Sequence, residues 1–219
     1  MTSPVSLPAI LPHVRSVDIL GVRVDDVTMP EAIALARSWV CAGGPHQVVT
    51  PNAEFVMRAR SEPEFRRLIN SSALSIPDGA GLLLAGRLLG TPLREQVTGT
   101  DLAIELARMC ADDGLGLFLL GAAPGVADEA AAKLVARFPG LRIAGTHAGS
   151  PRQEDDEATH CRIRDAQPVH VLLVAYGAPA QDYWLARNLP TLGVPVGIGI
   201  GGALDFIAGR VRRAPPSLR

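Results

Sequence analysis

The stretch VHVLLVAYGAPAQDYWLARNLPTLGVPVGIGIGGALD, residues 169–205, contains the pattern that decides the fold. A largely apolar run, Val169–Tyr176, leads through a short turn into a helical segment, and a second apolar run, Val194–Ile200, follows. Such runs are typical of strands that helices cover on both faces of a sheet. A strand, a helix and a strand in this order indicate a parallel pair within an α/β domain.

The same alternation extends over the chain. Further strands are predicted at His46–Thr50, Leu74–Pro77, Leu115–Gly121 and Leu141–Gly145, and VDILGVRVDDV (17–27) is predicted to be a pair of short strands or a hairpin. Helix starts are predicted at the capping box Thr28–Glu31, at the same pattern in Ser61–Glu64, and at Gly125. We expect a single α/β domain over residues 1–209 and, in residues 210–219, the beginning of a basic C-terminal appendage that is cut short.

Composition excludes several classes of protein. Of the 219 residues 47% are hydrophobic and 20% charged, which predicts a sizeable buried core. A net charge of −1 argues against a nucleic acid partner held by a general basic field.

Three cysteines without CxxC or Cys/His spacing indicate a reducing compartment. The N-terminus lacks a basic leader and the most apolar window, residues 81–90, is too short to span a bilayer. We therefore expect a cytoplasmic protein, with peripheral membrane association left open.

Ligands of a parallel sheet bind beyond the carboxyl ends of its strands. Small, glycine-rich and polar segments follow the predicted strands at Thr50–Asn52, Asp78–Gly79, Gly121–Gly125, Gly177–Asp182 and Gly199–Asp205. Because these ends meet at one edge, the sequence predicts a preformed pocket there.

Each candidate at that edge has an alternative interpretation. Asp78, between a proline and a glycine, is either a turn residue or a catalytic base. The Gly121–Gly125 loop is an ordinary turn or a diphosphate site, and it is not a G-x-G-x-x-G fingerprint. Asp205 either accepts hydrogen bonds from a base or sugar or serves the helix dipole. Gln181 is a substrate contact or an exposed helix-start residue. No ligand spacing for a metal occurs, so no metal is expected.

Six segments in a fixed order resemble the WecG/TagA/CpsF family of bacterial glycosyltransferases: TPNAE (50–54), PDGAGLLLAGRLLG (77–90), VTGTDL (97–102), LFLLGAAPGVADEAA (117–131), GAPAQDYW (177–184) and GIGIGGALDFIAGRVRRAP (197–215). The resemblance implies a Rossmann-like domain that transfers a sugar from a UDP-sugar to an undecaprenyl-diphosphate-linked sugar, with inversion and without metal or other cofactor. The implied sugar is N-acetylmannosamine, its uronic acid or a related hexose. The implied products are wall teichoic acid, enterobacterial common antigen or exopolysaccharide.

The resemblance also implies roles for individual residues. Asp78 matches the family's general base, which inversion requires on the acceptor hydroxyl. Thr50 and Asn52 would orient a sugar, and Gln181 would contact the sugar nucleotide. The remaining implied contacts are Gly99 for substrate, Gly121, Gly125, Gly199, Gly201 and Gly202 for UDP, and Asp205 for uracil or ribose.

The sequence departs from the family at Gln96, where arginine is usual and would counter the diphosphate. Either Arg94 or another arginine substitutes for it, or the activity of this protein differs. The appendage, with Arg212 and Arg213, is expected to meet the inner membrane face, and a homo-oligomer is expected. Two other functions stay open: a UDP-sugar-binding protein without transferase activity and, from the α/β pattern alone, an NAD-dependent oxidoreductase.

Overall fold

The computed structural model describes residues 14–212, and Arg213 and the end of the predicted appendage lie outside this range. The strands are β1 (Arg15–Ile19), β2 (Val22–Asp26), β3 (His46–Val49), β4 (Leu74–Ser75), β5 (Gly116–Gly121), β6 (Arg142–His147), β7 (Val171–Ala175) and β8 (Val196–Gly199). The helices are α1 (Met29–Ala42), α2 (Ala53–Ser61), α3 (Pro63–Ser71), α4 (Ala80–Leu88), α5 (Gly99–Asp113), α6 (Val126–Arg137), α7 (Asp156–Asp165), α8 (Ala180–Leu192) and α9 (Ala203–Ala208).

Six strands form one sheet in the order β4-β3-β8-β7-β5-β6, and every neighbouring pair is parallel. All six strands predicted for this sheet are confirmed. The other two strands, β1 and β2, form an antiparallel hairpin outside the sheet, with Ile19 opposite Val22. The prediction of an opening hairpin is therefore also confirmed.

Helices cover both faces of the sheet. On one face, side chains of α1, α5, α6 and α9 share a buried core with the sheet residues Val48, Leu117, Leu173 and Ile198. On the other face, α2, α3, α4 and the hairpin bury Val49, and α7 and α8 bury Phe118, Leu172 and Val174. The predicted α/β class with a Rossmann-like arrangement is confirmed.

The order of the strands produces a crevice at their carboxyl ends. The neighbouring strands β3 and β8 lead into α2 and α9, which pack on opposite faces of the sheet. The two connecting loops therefore diverge, and such a change of direction is where open α/β sheets bind ligands.

All three predicted helix starts are confirmed, although one of the predicted capping residues is wrong. The Thr28 backbone N–H donates to Glu31 Oε2 at 2.9 Å, which is half of the capping box. Gly125 precedes α6 directly. The helix start predicted in Ser61–Glu64 is confirmed, because α3 begins at Pro63. Ser61 is not its N-cap, however, because it is the last residue of α2 and its hydroxyl donates to the Arg58 carbonyl at 3.0 Å. Glu62 instead precedes α3, so the serine bonds backward to an earlier turn and caps nothing.

Candidate active site

A cleft of about 210 Å³ opens at the carboxyl ends of β3, β4, β7 and β8. Its lining residues are Thr50, Asn52, Phe55, Asp78, Thr100, Ala178, Gln181, Ile200, Gly201, Gly202, Ala203 and Phe206. Six of them belong to the predicted site, although they come from four separate segments of the chain. A wider groove of about 860 Å³ runs between α3 and α8 and contains none of the predicted residues, so the smaller cleft is the candidate active site.

Asp78 follows β4 at the floor of the cleft and is half-buried. The backbone N–H of Gly99, the first residue of α5, donates to Asp78 Oδ2 at 2.9 Å. A β-carbon placed on Gly99 would lie 3.5 Å from that oxygen and 3.6 Å from Thr50 Oγ1. Glycine thus leaves room beside the carboxylate, and its amide orients the carboxylate toward the cleft.

Thr50 and Asn52 approach the cleft from the end of β3. The Thr50 hydroxyl donates to the Gly199 carbonyl at 3.3 Å, which ties the ends of β3 and β8 together. Asn52 Oδ1 accepts the Phe55 N–H at 3.0 Å and caps α2. The asparagine therefore has a structural task, and its amide nitrogen is the part that remains to contact a ligand.

Gln181 lies almost fully buried at the start of α8. Its Oε1 accepts the Gly201 N–H at 2.9 Å. A β-carbon on Gly199 would come within 2.7 Å of Gln181 Nε2, so the close packing of this side chain on β8 depends on glycine. The interpretation of Gln181 as an exposed helix-start residue is wrong.

The Gly121–Gly125 loop follows β5, beyond β7 from the cleft, and does not line it. Gly121 has φ of 103°, and a β-carbon there would lie 2.6 Å from the Ala175 carbonyl carbon, so both backbone angle and space require glycine. Arg210 lies beside this loop, with Nη2 3.7 Å from a β-carbon position on Gly125. Its guanidinium pairs with Glu129 through two hydrogen bonds of 2.8 Å.

Arg94 does not reach the cleft. Its guanidinium bonds to Glu31 at 2.7 Å and to Asp26 at 3.2 Å, on the side of the hairpin and α1. Burial alone would raise the pKa of Asp26, but the backbone amide of Arg94 and the Arg15 side chain outweigh it and hold this pKa below its usual value. Gln96 is half-buried in the loop before α5 and is not among the lining residues.

Other predicted residues lie around the cleft and not in it. Asp205 is in α9, one residue before Phe206, and Arg212 is exposed at the end of the described chain. Thr100 and Phe206 line the cleft but were absent from the predicted set. Both lie inside segments that resemble the family, VTGTDL (97–102) and GIGIGGALDFIAGRVRRAP (197–215), so the sequence indicated their segments. That their side chains face the cleft follows only from the orientation of α5 and α9 in the structure.

Asp182, next to Gln181, is a buried carboxyl group, and no other residue within 14–212 donates a hydrogen bond to either of its oxygens. Burial raises the pKa of Asp182 to about 7. A protonated carboxyl is far less costly to bury than a charged one, so the neutral form suits this position.

Residues 17–219 match the model of the glycosyl transferase WecG/TagA/CpsF family. The chain belongs to this family. An N-acetylglucosaminyldiphosphoundecaprenol N-acetyl-β-D-mannosaminyltransferase of Bacillus spizizenii is 30% identical over 77% of this chain and 64% of its own length. The protein with the same description in Staphylococcus aureus strain NCTC 8325 is 30% identical over 93% of this chain and 80% of its own length.

Within residues 14–212, no three histidine, cysteine, aspartate or glutamate side chains are grouped as metal ligands. None of the helices in that range has both the length and the apolar character to cross a membrane.

Proposed function

We propose that the protein is an inverting glycosyltransferase that moves a sugar from a UDP-sugar to an undecaprenyl-diphosphate-linked sugar, without a metal, in cell-wall or extracellular polysaccharide synthesis. The observation that carries the proposal is the convergence of Thr50, Asn52, Asp78 and Gln181 on one cleft. The names of both relatives specify an undecaprenyl-diphosphate-linked acceptor and an N-acetylmannosaminyl group, so they support the acceptor class and favour this sugar.

The chemistry needs one carboxylate. Asp78 accepts the proton of the acceptor hydroxyl while that oxygen attacks the anomeric carbon. The bond from this carbon to the UDP oxygen breaks, and UDP leaves with the electron pair. Attack from the face opposite UDP inverts the anomeric centre, and the proton passes from Asp78 to solvent. A second carboxylate is not required, in contrast to a glycosidase, because UDP is a good leaving group.

The surrounding residues take supporting tasks. Gly99 holds the Asp78 carboxylate through its N–H, and the hydrogen bond between Gln181 and the Gly201 backbone shapes the wall of the cleft against which the sugar nucleotide would lie. Charge compensation for the departing UDP is assigned to Arg210, which lies beside the Gly121–Gly125 loop while pairing with the exposed Glu129, since Arg94 lies away from this loop, at the hairpin and α1. The protein would work at the inner membrane face, where its acceptor lies.

The deciding experiment measures UDP release from a panel of UDP-sugars with a lipid-diphosphate-N-acetylglucosamine acceptor, in the presence and absence of EDTA. Asp78→Asn keeps the shape of the side chain and should slow release by about 100-fold or more. Asp112→Asn, an exposed carboxylate near the distal end of α5, is the matched control and should not change the rate. Equal rates for wild type and Asp78→Asn would reject the general base, and loss of activity with EDTA would reject metal independence.

A second candidate is a UDP-sugar-binding protein without transferase activity, which Gln96 favours because no arginine stands at that position. Tight UDP binding without UDP release on adding any acceptor would select this alternative.

A further inference from the structure

We propose that α4 is a membrane-docking surface, on which Leu84, Leu88 and Leu89 enter the interface of a lipid bilayer and Arg87 meets its anionic headgroups. The inference rests on the proposed function, because a lipid-linked acceptor brings the bilayer close to the cleft. It adds a site of contact within the folded domain, separate from the basic C-terminal segment.

The outer side of α4 is unusually apolar for a protein surface. The side chains of Leu84, Leu88 and Leu89 are 58%, 81% and 54% exposed, whereas Leu82 is 2% exposed. Single exposed leucines are common, but here Leu84 and Leu88 share one side of α4 and Leu89 follows directly at its end. Clustered exposed apolar side chains of this kind are typical of interaction sites.

The geometry of the helix explains which side faces outward. Leu82 packs in the core, and Gly86, one turn later, lies against the chain at Thr91, where a β-carbon would come within 2.9 Å of the carbonyl oxygen. Leu84 and Leu88 each follow these positions by two residues, a rotation of about 200°. They therefore project from the opposite side of α4, and Arg87 lies beside Leu84, about 60° around the helix from it.

Charge favours a bilayer over a second copy of this chain. Arg87 is exposed and forms no ion pair with any residue of the described range. A two-fold contact through α4 would bring two such arginines together, and the helix sequence AGLLLAGRL contains no acid to compensate them. Anionic headgroups supply the missing negative charge, and the arginine stem can lie along apolar surface.

The position of α4 suits a lipid-linked acceptor. The helix begins at Ala80, two residues after Asp78, and Leu84 lies about 6 Å further along its axis. A bilayer against this helix would hold the diphosphate and its sugar at the level of the cleft. The acceptor could then reach Asp78 without leaving the membrane.

The test is cosedimentation of the full chain with phosphatidylcholine vesicles, with and without phosphatidylglycerol. Leu84→Gln/Leu88→Gln should lower vesicle binding by about tenfold or more, since two apolar side chains leave the interface. Arg87→Gln should lower the phosphatidylglycerol-dependent part by about fivefold. Val135→Gln removes an exposed apolar side chain from α6, on the other face of the sheet, and should bind as wild type does.

The outcomes separate this inference from the proposed function. With a short-chain, water-soluble acceptor the leucine variants should release UDP at the wild-type rate, and with vesicle-bound acceptor they should be slower. If no acceptor supports UDP release, the proposed function fails while the vesicle comparison still decides the surface. The inference would be overturned if the wild-type protein did not bind vesicles, or if the leucine variants bound them as well as the wild type does. A dimer in sedimentation velocity that the leucine substitutions dissociate in the absence of lipid would also overturn it.

Discussion

Gln181 Oε1 accepts a hydrogen bond from the Gly201 backbone N–H at 2.9 Å, and this bond joins the first turn of α8 to the loop after β8. The side chain reaches that amide by lying across β8 at Gly199, where a β-carbon would collide with it. One wall of the cleft therefore depends on a glutamine and on the absence of a side chain at the strand beneath it.

Gly199→Ala should damage this wall. The new methyl group would lie within 2.7 Å of Gln181 Nε2, so the glutamine must move and lose its bond to Gly201. We expect the free energy of unfolding to fall by about 1–3 kcal/mol and UDP release to slow. Urea denaturation and a UDP-release assay measure the two effects. Gly202→Ala is the control for stability, because a β-carbon there meets no atom within 4 Å; a similar loss in both variants would contradict the explanation.

Gly99→Ala should separate activity from stability. Its methyl group would make ordinary contacts, 3.5 Å from Asp78 Oδ2 and 3.6 Å from Thr50 Oγ1, so the fold should accept it. The same methyl would cover the carboxylate, and we expect kcat/KM to fall by about tenfold or more. Gly81→Ala, whose β-carbon would meet Ala53 at the same 3.5 Å, is the matched control and should stay active. Full activity of Gly99→Ala would show that the acceptor does not approach Asp78 from this side.

Arg94→Gln should affect stability more than catalysis. The guanidinium joins Asp26 to Glu31, and about half of the Arg94 side chain is exposed, so we expect a loss of about 1 kcal/mol in the free energy of unfolding. The KM for the UDP-sugar should not change, because Arg94 is absent from the cleft. Arg210→Gln, measured in parallel, should lower kcat. A raised KM for Arg94→Gln would show instead that Arg94 contacts the substrate.

Asp182→Asn should change how stability depends on pH. The pKa of Asp182 is raised by burial from 3.8 to about 7, so the folded protein keeps a proton there that the unfolded chain has lost. The free energy of unfolding of the wild type should therefore fall as pH rises between those two values, at up to about 1.4 kcal/mol per pH unit from this group.

The asparagine side chain of the Asp182→Asn variant cannot ionise. As pH rises from 3.8 to about 7, the free energy of unfolding of the variant should therefore increase relative to that of the wild type. Urea titrations at pH 4.5 and 7.5 give the difference, in which the contributions of other groups cancel. Parallel pH profiles of the two proteins would show that Asp182 does not carry a proton in the folded state.

Much of the architecture followed from the sequence because the relevant patterns are local. Continuous apolar runs identified all six strands of the sheet, since strands buried on both faces have no polar alternation. The Thr28–Glu31 capping box predicted the start of α1 because it, too, is a local pattern, formed by residues three positions apart. The pattern in Ser61–Glu64 located the start of α3 but not its N-cap, because the neighbours of Ser61 in the sequence do not show that α2 extends to this residue.

The candidate site, too, was predicted from the sequence only in part. That polar and glycine-rich residues follow the strands is a property of sequence, and it identified Asp78, Thr50, Asn52 and Gln181. Which of these segments meet depends on the strand order, which places β3 beside β8 although about 150 residues separate them. The tertiary structure alone directed Arg94 to Asp26, brought Arg210 beside Gly125, buried Gln181 against Gly199, and left the leucines of α4 facing outward. These outcomes depend on contacts between distant segments, and no local pattern encodes them.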